Sequence, residues 1–254
     1  MNICLYSDLH WEFGQPHITI PEEAHVVVLA GDIDTGLLTH LQILLRENLD
    51  KIFIYVPGNH DFYKKDYIAQ RFYIKTLADS HENLQILDES DCQIDDVSFY
   101  GSTLWSDFTA LGPLSEAWCK RNIKGMIGDF WMISNGSGKI TPEQMAELNR
   151  NARTGLETWL QATKGKKVVV THFPPLTCCK RGQIEENELS AYFTNNLTYM
   201  FHKEYSPDYW LYGHNHWSDK IMIGKTQLLS NQHGYPGEGS GNARYDPAGC
   251  MFTL

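Results

Sequence analysis

Five short segments of the chain contain aspartate, histidine or asparagine side chains, which are the types that bind divalent cations and transfer protons. None of the five contains cysteine, so the available donor atoms are oxygen and nitrogen rather than sulfur. Such donors suit Mn²⁺, iron and Zn²⁺, and they also permit Mg²⁺. In chain order the segments are Ser7-Asp8-Leu9-His10, Gly31-Asp32-Ile33-Asp34, Gly58-Asn59-His60-Asp61, Thr171-His172-Phe173-Pro174 and Gly213-His214-Asn215-His216.

Seven of these side chains are candidate metal ligands, which is more than a single ion can use. They suit two ions that share one carboxylate and keep positions open for water. Ions paired in this way lie ~3.5–4 Å apart, where they activate a water and hold a phosphoryl group. The sequence therefore predicts a binuclear hydrolase centre with two divalent ions, manganese being favoured over iron, zinc or magnesium. The candidate ligands are Asp8, His10, Asp32, Asn59, His172, His214 and His216.

Each of the five segments follows a short apolar run, and these runs must position the candidate ligands. The runs are continuous rather than alternating, which is typical of strands buried on both faces. In open α/β sheets the ligand site lies beyond the carboxyl ends of the strands. We therefore expect the five loops to meet at one edge of the sheet. The runs cover residues 3–6, 26–30, 52–56, 168–171 and 209–212.

Helical spacing of apolar residues between these runs predicts helices over 37–48, 67–77 and 142–162. The last begins with Thr141 as the expected N-cap and Pro142 at the first helical position. Residues 98–101 and 221–229 predict further strands, the second forming a hairpin that turns at Gly224-Lys225. This alternation indicates one α/β domain over residues 1–254 with a mainly parallel core.

The region 103–137 is less regular, and we interpret it as an insertion or cap over one end of the sheet. Its aromatic rings favour a core role over a substrate pocket, because large apolar rings dominate ordinary cores. The rings belong to Trp105, Phe108, Trp118, Phe130 and Trp131.

In five ordered motifs the chain resembles the calcineurin-like metallophosphoesterase superfamily. The motifs span positions 8 to 216, and none departs from the family pattern. Gly-His-x-His alone would be weak, whereas five motifs after five apolar runs are specific. They are Asp8-x-His10, Gly31-Asp32, Gly58-Asn59-His60-Asp61, His172 and Gly213-His214-Asn215-His216.

The resemblance implies a four-layer α/β/β/α sandwich of two mixed sheets with a binuclear metal centre at the carboxyl ends of the strands. It implies a bridging hydroxide as the nucleophile, and hence no covalent phosphoenzyme. His60 would lie beside the substrate, and Asp61 would orient His60 and hold its tautomer. The first ion would be held by Asp8, His10, Asp32 and His216, and the second by Asp32, Asn59, His172 and His214.

Several further residues have a structural and a functional interpretation. Asp34 is expected to act as a helix N-cap rather than to orient a ligand. Adjacent Cys178 and Cys179 are expected to be free thiols. His233 is a candidate pocket residue, and Asn231 a candidate neighbour of the metal site. Lys180, Arg181 and Arg244 are candidates for phosphate contacts, although surface charge is the favoured interpretation of each.

Composition and charge narrow the substrate class. With 21 Lys+Arg against 31 Asp+Glu in 254 residues, the formal net charge is −10. An acidic protein is a poor match for long nucleic acid, because neutralising phosphates supplies much of the affinity there. No apolar run is long enough to span a membrane. We expect a cytoplasmic enzyme acting on a small phosphorylated metabolite or nucleotide, as a monoesterase or a diesterase, with no particular oligomeric state predicted.

Two alternatives remain open at this point. A nuclease acting on short or single-stranded ends would need basic residues clustered on one face, with Lys120, Arg121, Lys124 and the lysines of 164–167 as candidates. A catalytically silent scaffold protein of the same fold is expected to have lost a ligand or His60. All of these residues are present, so the silent alternative ranks last.

Overall fold

The computed structural model describes residues 1–14, 18–179, 187–238 and 244–254. Its strands are β1 (Asn2–Tyr6), β2 (Val26–Leu29), β3 (Ile52–Tyr55), β4 (Leu84–Ile86), β5 (Ser90–Ile94), β6 (Val97–Ser102), β7 (Ser134–Asn135), β8 (Gly138–Lys139), β9 (Lys166–Thr171), β10 (Tyr209–Leu211), β11 (Lys220–Ile223), β12 (Thr226–Leu229) and β13 (Cys250–Thr253). Its α-helices are α1 (Thr39–Glu47), α2 (Tyr67–Thr76), α3 (Pro113–Asn122), α4 (Asp129–Met132) and α5 (Pro142–Ala162).

Two mixed sheets carry the fold. The first has the strand order β13-β1-β2-β3-β4, and the second has the order β11-β12-β10-β9-β6-β5. The inner strands of both sheets pair in parallel, while β13, β11 and β5 add antiparallel edges. Parallel pairing directs the carboxyl ends of β1, β2 and β3 to one edge of the first sheet. The same holds for β9 and β10 in the second sheet.

The two sheets pack face to face, and helices cover their outer faces. Alternate residues such as Leu5, Val28 and Val170 form the core between the sheets. Their neighbours on the opposite faces pack against α1 and α2 on one side and α5 on the other. This arrangement confirms the predicted four-layer sandwich, and it explains why the apolar runs are continuous: each strand is buried on both faces.

Most predicted elements occur within one or two residues of their expected bounds. Helix α5 begins with a capping box in which Thr141 and Gln144 bond each other's backbone N–H groups. The hairpin of β11 and β12 turns at Gly224-Lys225 as predicted. Strands β4, β5 and β13 were not predicted, because their apolar patterns are only two or three residues long.

The region 103–137 contains α3, α4 and strand β7. Trp105, Phe108 and Phe130 are buried in the core, in agreement with the favoured interpretation of its aromatic rings. Trp118 is half-buried and packs against the same core, whereas Trp131 is 48% exposed.

Within the described ranges, no helix combines the length and the apolar character needed to cross a membrane.

The core between the sheets predicts a large stability effect at Phe99, which is fully buried there. Phe99→Ala is expected to lower the free energy of unfolding by about 3–5 kcal/mol, because it leaves a cavity in a close-packed core. Phe72, which is 71% exposed on α2, provides the matched control Phe72→Ala. Urea unfolding of both variants measures the difference, and equal losses in the two would contradict this packing.

Candidate metal centre

All seven candidate ligands meet at the edge where β1, β2, β3, β9 and β10 end. Each lies in the loop directly after one of these strands, and none is more than 7% exposed. Buried carboxylates are costly unless they are paired or bind a cation. The edge therefore holds a dense set of polar donor atoms that the fold has removed from water.

The loops that carry these ligands have unusual backbone conformations. Five of the seven candidate ligands have positive φ angles, between 47° and 80°, in the left-handed region that ordinary side chains rarely adopt. Each such residue costs roughly 1–3 kcal/mol and persists only where the surroundings hold it in place. These strained residues are Asp8, His10, Asp32, His214 and His216.

Glycines allow the ligand loops to approach one another closely. A Cβ atom on Gly58 would overlap the carboxylate of Asp32, and it would lie 2.5 Å from the Asp32 backbone nitrogen. A Cβ atom on Gly31, which has φ +89°, would lie 2.7 Å from Cγ of His172. Because glycine has no Cβ atom, these two positions allow the close backbone approach of the ligand loops.

One cluster of donor atoms consists of Asp8, His10 and His216. Nε2 of His10 lies 3.0 Å from Nε2 of His216, which in turn lies 3.6 Å from Oδ1 of Asp8. Asp8 also accepts the backbone N–H of His214 at 3.0 Å, so this carboxylate joins the first and last loops of the site.

A second cluster surrounds His172 and Asn59. Nε2 of His172 lies 3.0 Å from Oδ1 of Asn59 and 3.3 Å from Oδ2 of Asp32. Nδ1 of His214 lies 3.2 Å from the same Asn59 oxygen. Oδ2 of Asp32 also lies 3.7 Å from Nε2 of His10, so one carboxylate oxygen faces both clusters.

The hydrogen bonds around the rings determine which nitrogen atoms face inward without a proton. Nδ1 of His10 donates to Glu12 at 3.0 Å, and Nδ1 of His216 donates to Glu238. In the neutral rings, both Nε2 atoms therefore present lone pairs to each other at 3.0 Å, which is repulsive unless both nitrogens bind the same cation.

The second cluster has the same property. Nδ1 of His172 donates to the carbonyl of Ala30 at 2.9 Å, which leaves its Nε2 as an acceptor in the neutral ring. The Asn59 amide donates through Nδ2 to Asp129 at 2.9 Å, so its oxygen points toward His172 and His214. Hydrogen-bond acceptor atoms converge in both clusters. Their lone pairs can coordinate a metal, so the two sets of side chains fit divalent metal ions.

The electrostatics of the site also favour cations. Burial on its own would lower the pKa of His172, but the charge and hydrogen bond of Asp32 outweigh it and raise the pKa to about 9. The negative field that would hold a second proton on this imidazole also attracts a metal ion, which would displace that proton.

Glu12, a residue that sequence reasoning missed, orients two of the histidines. Its Oε1 accepts Nδ1–H of His10 and Nδ1–H of His60, both at 3.0 Å. Burial favours the protonated acid, but these two hydrogen bonds outweigh it and lower the pKa of Glu12 to about 2. Nε2 of His60 meets the hydroxyl of Tyr235 at 2.9 Å. The sequence shows that Glu12 stands two residues after His10, but it does not show that Glu12 also contacts His60.

The predicted contact between Asp61 and His60 is wrong. The Asp61 carboxylate turns away from the imidazole and accepts the backbone N–H groups of Gly58 at 2.6 Å and Asp32 at 3.2 Å. Asp61 follows His60 directly in the chain, and the short 3₁₀ turn from His60 to Phe62 directs the two side chains apart. Asp61 therefore holds two ligand loops together, whereas Glu12 orients His60.

Asp129 is a further residue that the sequence did not reveal. It is fully buried and accepts Asn59 Nδ2 and the hydroxyls of Tyr63 and Tyr192, at 2.9, 2.9 and 2.7 Å. These contacts fix the direction of the Asn59 amide. Asp129 belongs to the irregular region 103–137, where no local pattern indicates a polar buried residue.

Other candidate residues lie away from the clusters. Asp34 is not the N-cap of α1, because that position belongs to Leu38, although Asp34 accepts the His40 N–H in the first turn at 3.2 Å. Asn231 donates to the carbonyls of Leu5 and Asp246 and has a structural role.

The remaining candidates for substrate contact are also accounted for. His233 donates to the carbonyl of Gly234, and Arg244 covers the ring of Trp217 at 4.0 Å. Neither lines the cavity described below. Cys178 and Cys179 are free thiols, as predicted. Lys180 and Arg181 lie outside the described residues.

A cavity of about 470 Å³ opens in front of the clusters. Asp32, Asn59, His214 and His216 form part of its wall, together with His60. The cavity is large enough for a small organic ligand.

The shared contact of Glu12 predicts an effect on metal binding. Glu12→Gln is expected to weaken divalent-metal affinity about 10–100-fold, because a neutral amide cannot serve as charged acceptor for two imidazole N–H groups. Glu147→Gln, on the exposed face of α5, is the matched control. Titration calorimetry with Mn²⁺ measures both, and wild-type affinity in Glu12→Gln would refute the orienting role.

Comparisons with known proteins agree with this geometry. Residues 1–218 match the family described as calcineurin-like phosphoesterase. The chain is 27% identical over 255 residues to the uncharacterized protein L509 of Acanthamoeba polyphaga mimivirus, covering 90% of this chain and 83% of that protein.

Two solved structures share the fold at low sequence identity. The phosphopantetheinyl hydrolase PptH from Mycobacterium tuberculosis is similar with a TM-score of 0.72 and 18% identity, over 92% of this chain and 90% of that chain. GAP50, the anchor in the inner membrane complex of Plasmodium, is similar with a TM-score of 0.52 and 14% identity, over 99% and 80%. With motifs, fold and a match over residues 1–218 in agreement, the chain belongs to the calcineurin-like phosphoesterases.

Proposed function

We propose that the chain is a binuclear, metal-dependent phosphoester hydrolase for a small phosphorylated substrate. The observation that carries this proposal is the inward convergence of acceptor atoms in two adjacent clusters that share Oδ2 of Asp32. Asp8, His10 and His216 would hold one ion with Asp32. Asn59, His172 and His214 would hold the other, with Asp32 shared between them. Manganese is the favoured metal, and a cytoplasmic location stays a prediction.

The ions, when bound, would supply Lewis-acid activation of water and neutralise the phosphoryl charge. The protein's own groups would orient the reaction. Glu12 holds Nδ1–H of His60 and thereby aims Nε2 at the cavity, on the side where Tyr235 also presents its hydroxyl. His60 would stabilise the phosphoryl group or protonate the leaving oxygen, as a general acid in reach of the bond that breaks. Asp61 would keep the loops of Asp32 and Asn59 in register.

The nature of the cavity supports a small substrate. Phosphopantetheinyl esters become candidates beside nucleotides, because the solved structure with a TM-score of 0.72 is named as a phosphopantetheinyl hydrolase. The region 103–137 would act as a cap, since Leu111, Met126 and Ile127 line the cavity. Tyr192 and Phe193, which lie outside this region, also line the cavity and would be available to stack a base.

The contacts of the described lysines weaken the nuclease alternative. Lys167 is buried and donates to the carbonyls of Leu160 and Tyr205, while Lys120 pairs with Glu116 and Lys166 with Asp96. These lysines do not line the cavity. A continuous basic track for nucleic acid is therefore not formed by these residues.

The deciding assay compares a matched aryl phosphate monoester and diester, using metal-stripped protein reloaded with Mn²⁺. Turnover of either supports the proposed hydrolase, and the preference separates monoesterase from diesterase. Two bound ions without turnover of either probe, or of phosphopantetheinyl and nucleotide substrates, would favour a silent scaffold.

Asp32→Ala is expected to abolish turnover and to remove both metal ions together, because its carboxylate faces both clusters. Metal content by plasma emission spectroscopy and turnover of the preferred aryl phosphate measure the two effects. Full turnover by this variant would show that the shared-carboxylate assignment is wrong.

His60→Ala is expected to keep both ions and to slow turnover by about 10²–10⁴-fold, the usual contribution of general acid–base help. The matched control is His202→Ala, at an exposed position outside the cavity. Loss of metal from His60→Ala, but not from His202→Ala, would instead make His60 a ligand.

A further inference from the structure

The cavity has two chemically different halves. One half contains the metal clusters with His60 and Tyr235. The other half is built from apolar side chains of two separate segments of the chain. We call it the apolar wall, and it consists of Leu111, Met126, Ile127, Leu189, Tyr192 and Phe193.

The apolar wall is continuous with the second metal cluster. The ring of Phe193 is stacked on that of His214 at an angle of 30° and a centroid distance of 5.6 Å, and Tyr192 meets the same imidazole edge-on at 5.3 Å. The hydroxyl of Tyr192 donates to Asp129, so this residue presents its ring rather than its polar end to the cavity. A group attached to a phosphoryl bound at the clusters would therefore contact the wall.

Parts of the wall are exposed to solvent. Met126 is 49% exposed and Phe193 is 37% exposed, although both line a concave site. Covering such surface with an apolar group is favourable in proportion to the area removed from water.

Charge limits which groups can occupy this half of the cavity. Among the described residues that line the cavity, Asp32 and Glu238 are the acidic ones, and none is a lysine or an arginine. A second anionic group on the substrate would meet no described lysine or arginine there and would be repelled by the Glu238 carboxylate, whereas the Asp32 carboxylate would already be paired with the metal ions.

We propose that the apolar wall binds the organic group of the phosphoester and selects substrates in which this group is uncharged and largely apolar. This inference rests on the proposed function, because the phosphoryl group must lie at the metal clusters for its substituent to reach the wall. It names a class of substrate and disfavours nucleoside polyphosphates, whose additional phosphates are anionic.

Binding of three phosphonates to the Mn²⁺-loaded protein tests the proposal without requiring turnover. The ligands are methylphosphonate, hexylphosphonate and 5-carboxypentylphosphonate, the last two matched in length. Hexylphosphonate is expected to bind about tenfold more tightly than methylphosphonate, which corresponds to burying roughly two methylene groups. The carboxylate of the third ligand is expected to remove this gain. Calorimetry measures all three dissociation constants.

Variants connect the preference to the wall. Met126→Ala and Phe193→Ala are each expected to reduce the hexyl-to-methyl preference several-fold, whereas Phe72→Ala on α2 is expected to keep it. The ratio is the readout because Phe193 also contacts His214, so its absolute affinities can change for another reason. Leu111→Lys is expected to reverse the preference in favour of the carboxylate ligand.

Three results would overturn the proposal: equal affinity for hexyl and methyl ligands, a carboxylate ligand that binds as tightly as hexylphosphonate, or binding of none of the three. A preference unchanged in both wall variants would overturn it as well. Failure of the proposed hydrolase is seen separately, as absent turnover in the aryl phosphate assay. Preferential binding of hexylphosphonate without turnover of any ester would support the apolar wall as a binding site and contradict the proposed hydrolase activity.

Discussion

The carboxylate of Asp32 accepts the backbone N–H of His60 through Oδ1 and directs Oδ2 toward both histidine clusters. It is almost fully buried, so its charge is removed from water and must be balanced locally. Neighbouring imidazoles can balance it with protons, and metal ions can balance it with more charge in the same space. The loops around Asp32 are consequently arranged around one requirement, the compensation of buried negative charge.

Meeting this requirement imposes strain on the backbone. Five candidate ligands adopt left-handed backbone conformations. These conformations cost free energy, and contacts within the loops alone do not compensate for that cost. The two packed sheets supply the rigidity, because each strand that precedes a ligand is buried on both faces. Asp8 and Asp61 then join loops from different strands through backbone N–H groups. The packed sheets therefore hold the ligand loops in strained backbone conformations that the isolated loops would not keep.

Orientation of the ligands depends on residues outside the motifs. Glu12 is shared by His10 and His60, Glu238 contacts His216, and Asp129 fixes the Asn59 amide. Each of these acids determines which atom of its partner faces inward. The two segments that supply Asp129 and Tyr192 also supply the apolar wall, so they determine both the direction of a ligand and the apolar character of the cavity.

The parallel strands, the loops after them and the family could be predicted from the sequence, because these features depend on local runs and short fixed spacings. Helix α5 and its capping box were predicted for the same reason. The contact by which Glu12, rather than the adjacent Asp61, orients His60 depends on how the loops pack in three dimensions. The tertiary structure also brings Asp129 to Asn59, 70 residues away. Such contacts join side chains across loops, and their direction follows from backbone angles and packing that no short sequence pattern encodes.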